Sequence, residues 1–195
     1  MKFRLNPTCF SGRIKAASRT HKVAYIGLMC ALCAVCNMFF EFKLADTQFS
    51  LTIFFSVLTG IIIGPVYGFV ACFLGDLVGY LYNSAGFVYY PWIGIAMGLM
   101  ALISGIIMNG VMRNSRGAVI VKLALIAVLT FLICTVAVNT TAFWIVYNGM
   151  KIPYEVYLYS RMIVKGQIWN SLLNYALLFC AIPLIRHFTT ERASN

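Results

Sequence analysis

The chain has 195 residues, 62% of them hydrophobic and only 10% charged, with a mean hydropathy of +0.87. A water-soluble domain of this length needs far more polar surface, so the solvent that fits this composition is a lipid bilayer. The net charge of +10 does not indicate nucleic acid, because the basic residues gather at the ends of apolar segments; the expected partner of that charge is an anionic cytoplasmic leaflet.

Residues 1–22 carry Lys2, Arg4, Arg13, Lys15, Arg19 and Lys22. They read as a basic cytoplasmic arm rather than a cleaved leader, because the next apolar run is long enough to span and more follow. A span needs about 20 apolar residues. Six are expected, in a membrane domain over 23–188: about Val23–Phe40, two within Phe49–Tyr82 separated at Gly64-Pro65, Tyr89–Met112, Ala118–Tyr147 and Gln167–Phe188. Gly-Pro breaks a helix, although one kinked helix there would leave five spans. Residues 189–195 form a short tail.

With six spans, eleven basic residues fall on the side of the arm, the 113–122 loop (Arg113, Arg116, Lys122) and the tail, including Arg186 and Arg192. Lys43, Lys151, Arg161 and Lys165 fall on the other. The positive-inside rule then places both termini in the cytoplasm of a multi-pass, all-α integral membrane protein. Of the seven cysteines, Cys30, Cys33, Cys36, Cys72, Cys134 and Cys180 lie inside apolar runs. The Cys30-x-x-Cys33-x-x-Cys36 spacing lacks the second pair a metal site needs, and such thiols pack as small apolar groups. Neither metal nor cofactor is expected.

Helical periodicity then sorts residues onto faces. In the first span Ala24, Gly27, Ala31 and Ala34 make a stripe of small side chains. Such a stripe lets helices approach closely, either within the bundle or against another membrane protein. In the third span Gly68, Cys72, Gly75 and Gly79 share a face suited to internal packing, with Asp76 beside it. An acid at membrane depth should face a cavity or a partner, or serve structure in neutral form. Tyr80, Tyr82, Tyr89, Tyr90 and Trp92 crowd after it. They suit either a membrane boundary or the aromatic wall of a small-molecule site.

The fifth span sets Thr135, Asn139, Phe143 and Tyr147 four residues apart, and the sixth groups Gln167, Asn170 and Asn174. Polar side chains at this depth turn inward, for interhelical hydrogen bonds or for a ligand. Arg161 and Lys165 precede the sixth span. On a continuous helix they point away from the Gln167 stripe and anchor the interface. If the helix begins after them, a loop folds them over the pocket mouth.

Two blocks resemble the substrate-binding S components of energy-coupling factor (ECF) vitamin transporters, most closely the folate-type members. One runs Leu58-Thr-Gly-Ile-Ile-Ile-Gly64-Pro65, Gly75-Asp76-Leu-Val-Gly79-Tyr80 and Gly86-Phe-Val-Tyr-Tyr90-Pro91. The other runs Asn139-Thr-Thr-Ala-Phe-Trp144, Tyr147-Asn-Gly149, Arg161-Met-Ile-Val-Lys165 and Asn170. The resemblance covers most of 23–187, and departs from the pattern at Tyr90-Pro91-Trp92 and at Trp169.

The resemblance implies a subunit that binds a vitamin from outside and docks on a transmembrane coupling protein carrying two cytoplasmic ATPases. The small residues of helix 1, here Ala24, Gly27, Ala31 and Ala34, then form the docking face. The implied vitamin site draws on Asp76, Tyr80, Tyr89, Tyr90, Trp92, Asn139, Trp144, Arg161, Lys165, Gln167 and Asn170, with folate the expected ligand and another vitamin the alternative.

A proton-coupled carrier using Asp76 competes with this reading, though no repeated halves are visible. An intramembrane enzyme is disfavoured, since His21 and His187 lie at the cytoplasmic ends and no HExxH or GxSxG occurs. With no GxxxxGK[ST] loop in the chain, energy from ATP must come from partners.

Overall fold

The computed structural model describes residues 17–39, 41–44, 47–82, 88–110, 116–146 and 148–189. Most of the basic arm, Arg113, Tyr147 and residues 190–195 lie outside these. Helix α1, Arg19–Phe39, begins before the expected Val23, so Arg19 and Lys22 sit in its first turn. Ser18 caps it, its hydroxyl accepting the His21 N–H at 3.4 Å.

An antiparallel hairpin follows that the sequence did not announce: β1 (Glu41–Leu44) pairs with β2 (Thr47–Ser50), Glu41 opposite Ser50. Two strands alone are marginal. These are tied to the bundle at Ser50, whose N–H donates to Asn170 Oδ1 at 3.0 Å and whose carbonyl accepts from Asn174 Nδ2 at 2.7 Å.

Helices α2 (Thr52–Ile63) and α3 (Pro65–Tyr82) are two helices, not one kinked one. Gly64 between them has φ 92°, a conformation that side chains resist, and Pro65 opens the next helix where its missing N–H costs nothing. Residues equidistant from Gly64 meet: Gly60 lies under Gly68, and Cys72 Sγ approaches the Ser56 carbonyl at 4.0 Å. The chain therefore reverses at this point. A β-carbon on Gly60 would run into the Ala101 carbonyl and Ser104 Oγ of α4 (Pro91–Gly110). Gly60→Val is expected to lower the thermal unfolding midpoint in detergent by an overpacking cost of about 1–3 kcal/mol or more. Gly27→Val is the control, because nothing lies within 4 Å of a β-carbon there.

The small face of α3 packs inward as expected. Gly68, Cys72, Gly75 and Gly79 are buried, and a β-carbon on Gly75 would stand 2.7 Å from Cys33 Cβ of α1. On the opposite side Val66, Val70, Leu74 and Val78 are exposed. A surface of branched aliphatic side chains over a core of glycines is what a helix shows to lipid.

Helix α5 (Arg116–Leu129) runs without a break into a π-helical stretch, Thr130–Thr140, and then α6, Thr141–Val146. Lys122 belongs to α5 rather than to a loop, and is buried, with Nζ donating to the Met108 carbonyl at 2.9 Å. That carbonyl is one of the last of α4, which lack helical partners.

The connection to the sixth segment holds a further unexpected helix, α7 (Tyr154–Tyr159), continuing as a π-helical turn, Ser160–Val164. The sixth segment itself is α8 (Gln167–Cys180) and α9 (Ile182–Thr189), bent by 57°. Pro183 explains the bend: it cannot donate to the Phe179 carbonyl and its ring crowds it.

A helix or helix pair stands at each of the six predicted segments. Among the described residues Pro65–Tyr82, Pro91–Gly110 and Gly117–Val146 are long and apolar enough to cross a membrane, and the bent pair makes a fourth.

Candidate functional site

A cavity of about 200 Å³ opens where the start of α2, the first half of α4, the π stretch after α5 and the start of α8 converge. Its apolar walls include Ile53, Ile93, Met97 and Met100. Its polar groups come from Ser50, Thr135, Asn139, Arg161, Gln167 and Asn170, and Phe143 supplies an aromatic face. Both π-helical stretches contribute to it, Thr135 and Asn139 from one and Arg161 from the other. Such stretches, with their i→i+5 bonds, recur at functional sites.

Arg161 reaches the cavity because the helix ahead of α8 ends at Lys165 and turns at Gly166, which has φ 68°. Its guanidinium lies 4.3 Å from the centre of the Phe143 ring, and its Nε is enclosed without a hydrogen-bond partner. Burial pushes the guanidinium below its ordinary value while the nearby Tyr157 hydroxyl works the other way; an arginine keeps its charge through such shifts. Tyr90 and Trp92 buttress Phe143 from behind, at ring distances of 5.8 and 5.7 Å. A flat ligand beside this cluster would meet an aromatic face and a cation together.

A family model for the S component of ECF-type riboflavin transporters matches residues 17–184. The chain belongs to this family. No curated protein sequence matches it. Among solved structures, the crystal structure of FolT bound with folic acid shares the fold, with a TM-score of 0.58 and 21% identity over 81% of this chain and 92% of that one. This S component is thus a membrane-embedded, substrate-binding transport subunit of an all-α fold, and not an enzyme.

The other residues expected at the vitamin site are placed differently. Asp76 is 4% exposed and lies outside the lining, where it accepts the Tyr89 hydroxyl at 3.1 Å. Tyr89 in turn packs on Tyr80, ring centres 5.0 Å apart. Asp76 therefore fastens the start of the α4 segment to α3. Asp76→Leu is expected to cost about 1–3 kcal/mol of stability by stranding the Tyr89 hydroxyl, whereas Asp76→Asn keeps an acceptor and costs less. Thermal unfolding of the two variants in detergent is the check.

Trp144 donates from Nε1 to the Ile152 carbonyl at 2.8 Å and stacks edge-on with Tyr154, so it secures the loop before α7. Lys165 is exposed and is not among the lining residues. Asn174, fully buried, clamps the start of α2, accepting the Phe54 N–H at 2.9 Å besides holding Ser50. Thr135 and Phe143 were legible as lining residues, since they share the four-residue spacing of Asn139. Ser50, Thr52 and Ile53 carried no such signal.

On α1, Ala24, Gly27 and Ala31 face outward, while Ala34 is buried at 7% exposure against Gly75.

Proposed function

We propose that this S component binds folate on the outer side of a bacterial plasma membrane and delivers it through a transmembrane coupling protein driven by two cytoplasmic ATPases. One observation carries the choice of vitamin: Arg161, its guanidinium over Phe143 and its Nε enclosed without a partner, lines the cavity. A partly buried cation favours an anion. Folate brings a flat ring and a glutamate carboxylate, whereas riboflavin is uncharged. Asn139, Gln167 and Asn170 supply amides, Tyr90 and Trp92 support the aromatic wall, and Asp76 acts through Tyr89 and Tyr80. Lys165 and Trp144 serve the mouth and its loop. The docking face consists of Ala24, Gly27 and Ala31, whose small side chains let a coupling helix approach closely.

Titration calorimetry of the purified chain with folate, riboflavin, thiamine and biotin tests the ligand. Tight binding of another vitamin with none of folate would remove the folate assignment and leave the subunit class standing. Six spans with cytoplasmic termini belong to this reading and are tested by cysteine labelling from either side of sealed vesicles.

A further inference from the structure

We infer that Thr140 and Tyr175 are positioning residues for the cavity: their hydroxyls hold the Thr130–Thr140 stretch in its π register and so keep Asn139 and Phe143 on the cavity wall. The inference rests on the vitamin-binding reading above. It concerns how one wall of that site is built, whichever vitamin fills it.

A π-helix mostly occurs as a single turn inside an α-helix. Here it runs for 11 residues, and a stretch that long needs something to keep it from the α register. The hydroxyl of Thr140 supplies it. A threonine within a helix commonly turns its hydroxyl back to the carbonyl four residues earlier. Thr130 does so on Ile126 at 2.7 Å, and Thr189 on Ile185 at 2.9 Å. Thr140, fully buried, instead donates to the Thr135 carbonyl, five residues back, at 2.7 Å. Five residues is the spacing of the π backbone bond itself, so this hydroxyl is a side-chain donor in the π register.

A different contact fixes the start of the stretch. Thr130 has one hydroxyl proton and gives it to Ile126, so the 2.9 Å bond between Thr130 Oγ1 and the Tyr175 hydroxyl is donated by the phenol. Both side chains are buried, and Tyr175 stands on α8, the helix that brings Gln167 and Asn170 to the cavity. Tyr175 therefore sets where the stretch begins against α8, and Thr140 sets its pitch from there. Neither is among the lining residues, so both act through others. Asn139 adjoins Thr140, and Phe143 follows three residues later with the Arg161 guanidinium over its ring. One residue of helical register is about 100° of rotation. A slip toward the α register takes Asn139 and Phe143 off the wall and removes the ring from under Arg161.

Titration calorimetry on the purified full-length chain tests this with four variants. Thr140→Val keeps the shape and removes the hydroxyl, and is expected to weaken vitamin binding about three- to tenfold. Tyr175→Phe is expected to weaken it about threefold. Thr140→Ser restores the hydroxyl and is expected to bind like wild type. Thr189→Val is the control: it removes a buried threonine-to-carbonyl bond of the four-residue kind on α9, away from the lining, and is expected to leave Kd unchanged. Thr140→Val at wild-type affinity overturns the inference. So does Thr140→Ser as weak as Thr140→Val, which would assign the effect to the methyl group, and so does an equal loss in Thr189→Val, which would make it general destabilisation. If Thr140→Val does not fold, Tyr175→Phe decides, and wild-type affinity there overturns the inference. The series is run with whichever of folate, riboflavin, thiamine and biotin the wild-type chain binds, so loss of the folate assignment leaves this test standing. A wild-type chain that binds none of them overturns the vitamin-binding reading and this inference with it.

Discussion

Arg161→Ala is expected to weaken folate binding by about 1.5–3 kcal/mol, the range for a hydrogen bond to a charged group, or roughly ten- to a hundredfold in Kd. The effect should be large because the guanidinium has few alternatives. It sits over Phe143 with Nε enclosed, and the neighbouring lining groups Asn139 and Gln167 are neutral. Truncation leaves a ligand carboxylate in a partly desolvated cavity without its counter-charge. Arg161→Lys should recover only part of the loss, since an ammonium keeps the charge but not the planar fork or the stacking on Phe143. Titration calorimetry at two salt concentrations checks both variants. An unchanged Kd in Arg161→Ala would show that the tail is held elsewhere.

Gly27→Trp is expected to abolish vitamin uptake by cells while leaving Kd and the thermal unfolding midpoint unchanged. Open space surrounds a β-carbon at Gly27, so the indole has room within the chain itself. In a helix–helix interface built on small residues it would hold the partner off by the thickness of a ring. Ala31→Trp should behave alike, because Ala31 also faces outward. Ala34→Trp should not: at 7% exposure, and with its backbone N 3.2 Å from a β-carbon built on Gly75, it is expected to damage the fold and binding together. Transport by Gly27→Trp at the wild-type rate would place the docking face on another helix. Uptake by the purified chain alone, driven by a pH gradient, would point to a carrier through Asp76 instead.

The sequence by itself determined the solvent, the apolar segments, the reversal at Gly64-Pro65 and the inward face of α3. These follow from composition, from backbone geometry that only glycine and proline supply, and from a periodicity local to one helix. It also marked Asn139, Gln167 and Asn170 as inward-facing, because amides at membrane depth turn away from lipid.

What an inward-facing polar group does there was decided by tertiary structure. Asn174 and Asn170 lie one turn apart on α8, yet Asn174 is spent on the backbone at Ser50 and Phe54 while Asn170 also borders the cavity. Asp76 found Tyr89 rather than the cavity, and strands β1 and β2 are tied to the bundle by the amides of α8 at Ser50. Arg161 and Lys165, four residues apart, are joined by the π-helical turn Ser160–Val164, and one lines the cavity while the other is exposed. Periodicity states which way a side chain points from its own helix axis. Which partner it meets depends on how the axes cross, and that is set by close approaches such as Gly60 on Ala101, made between residues far apart in the chain.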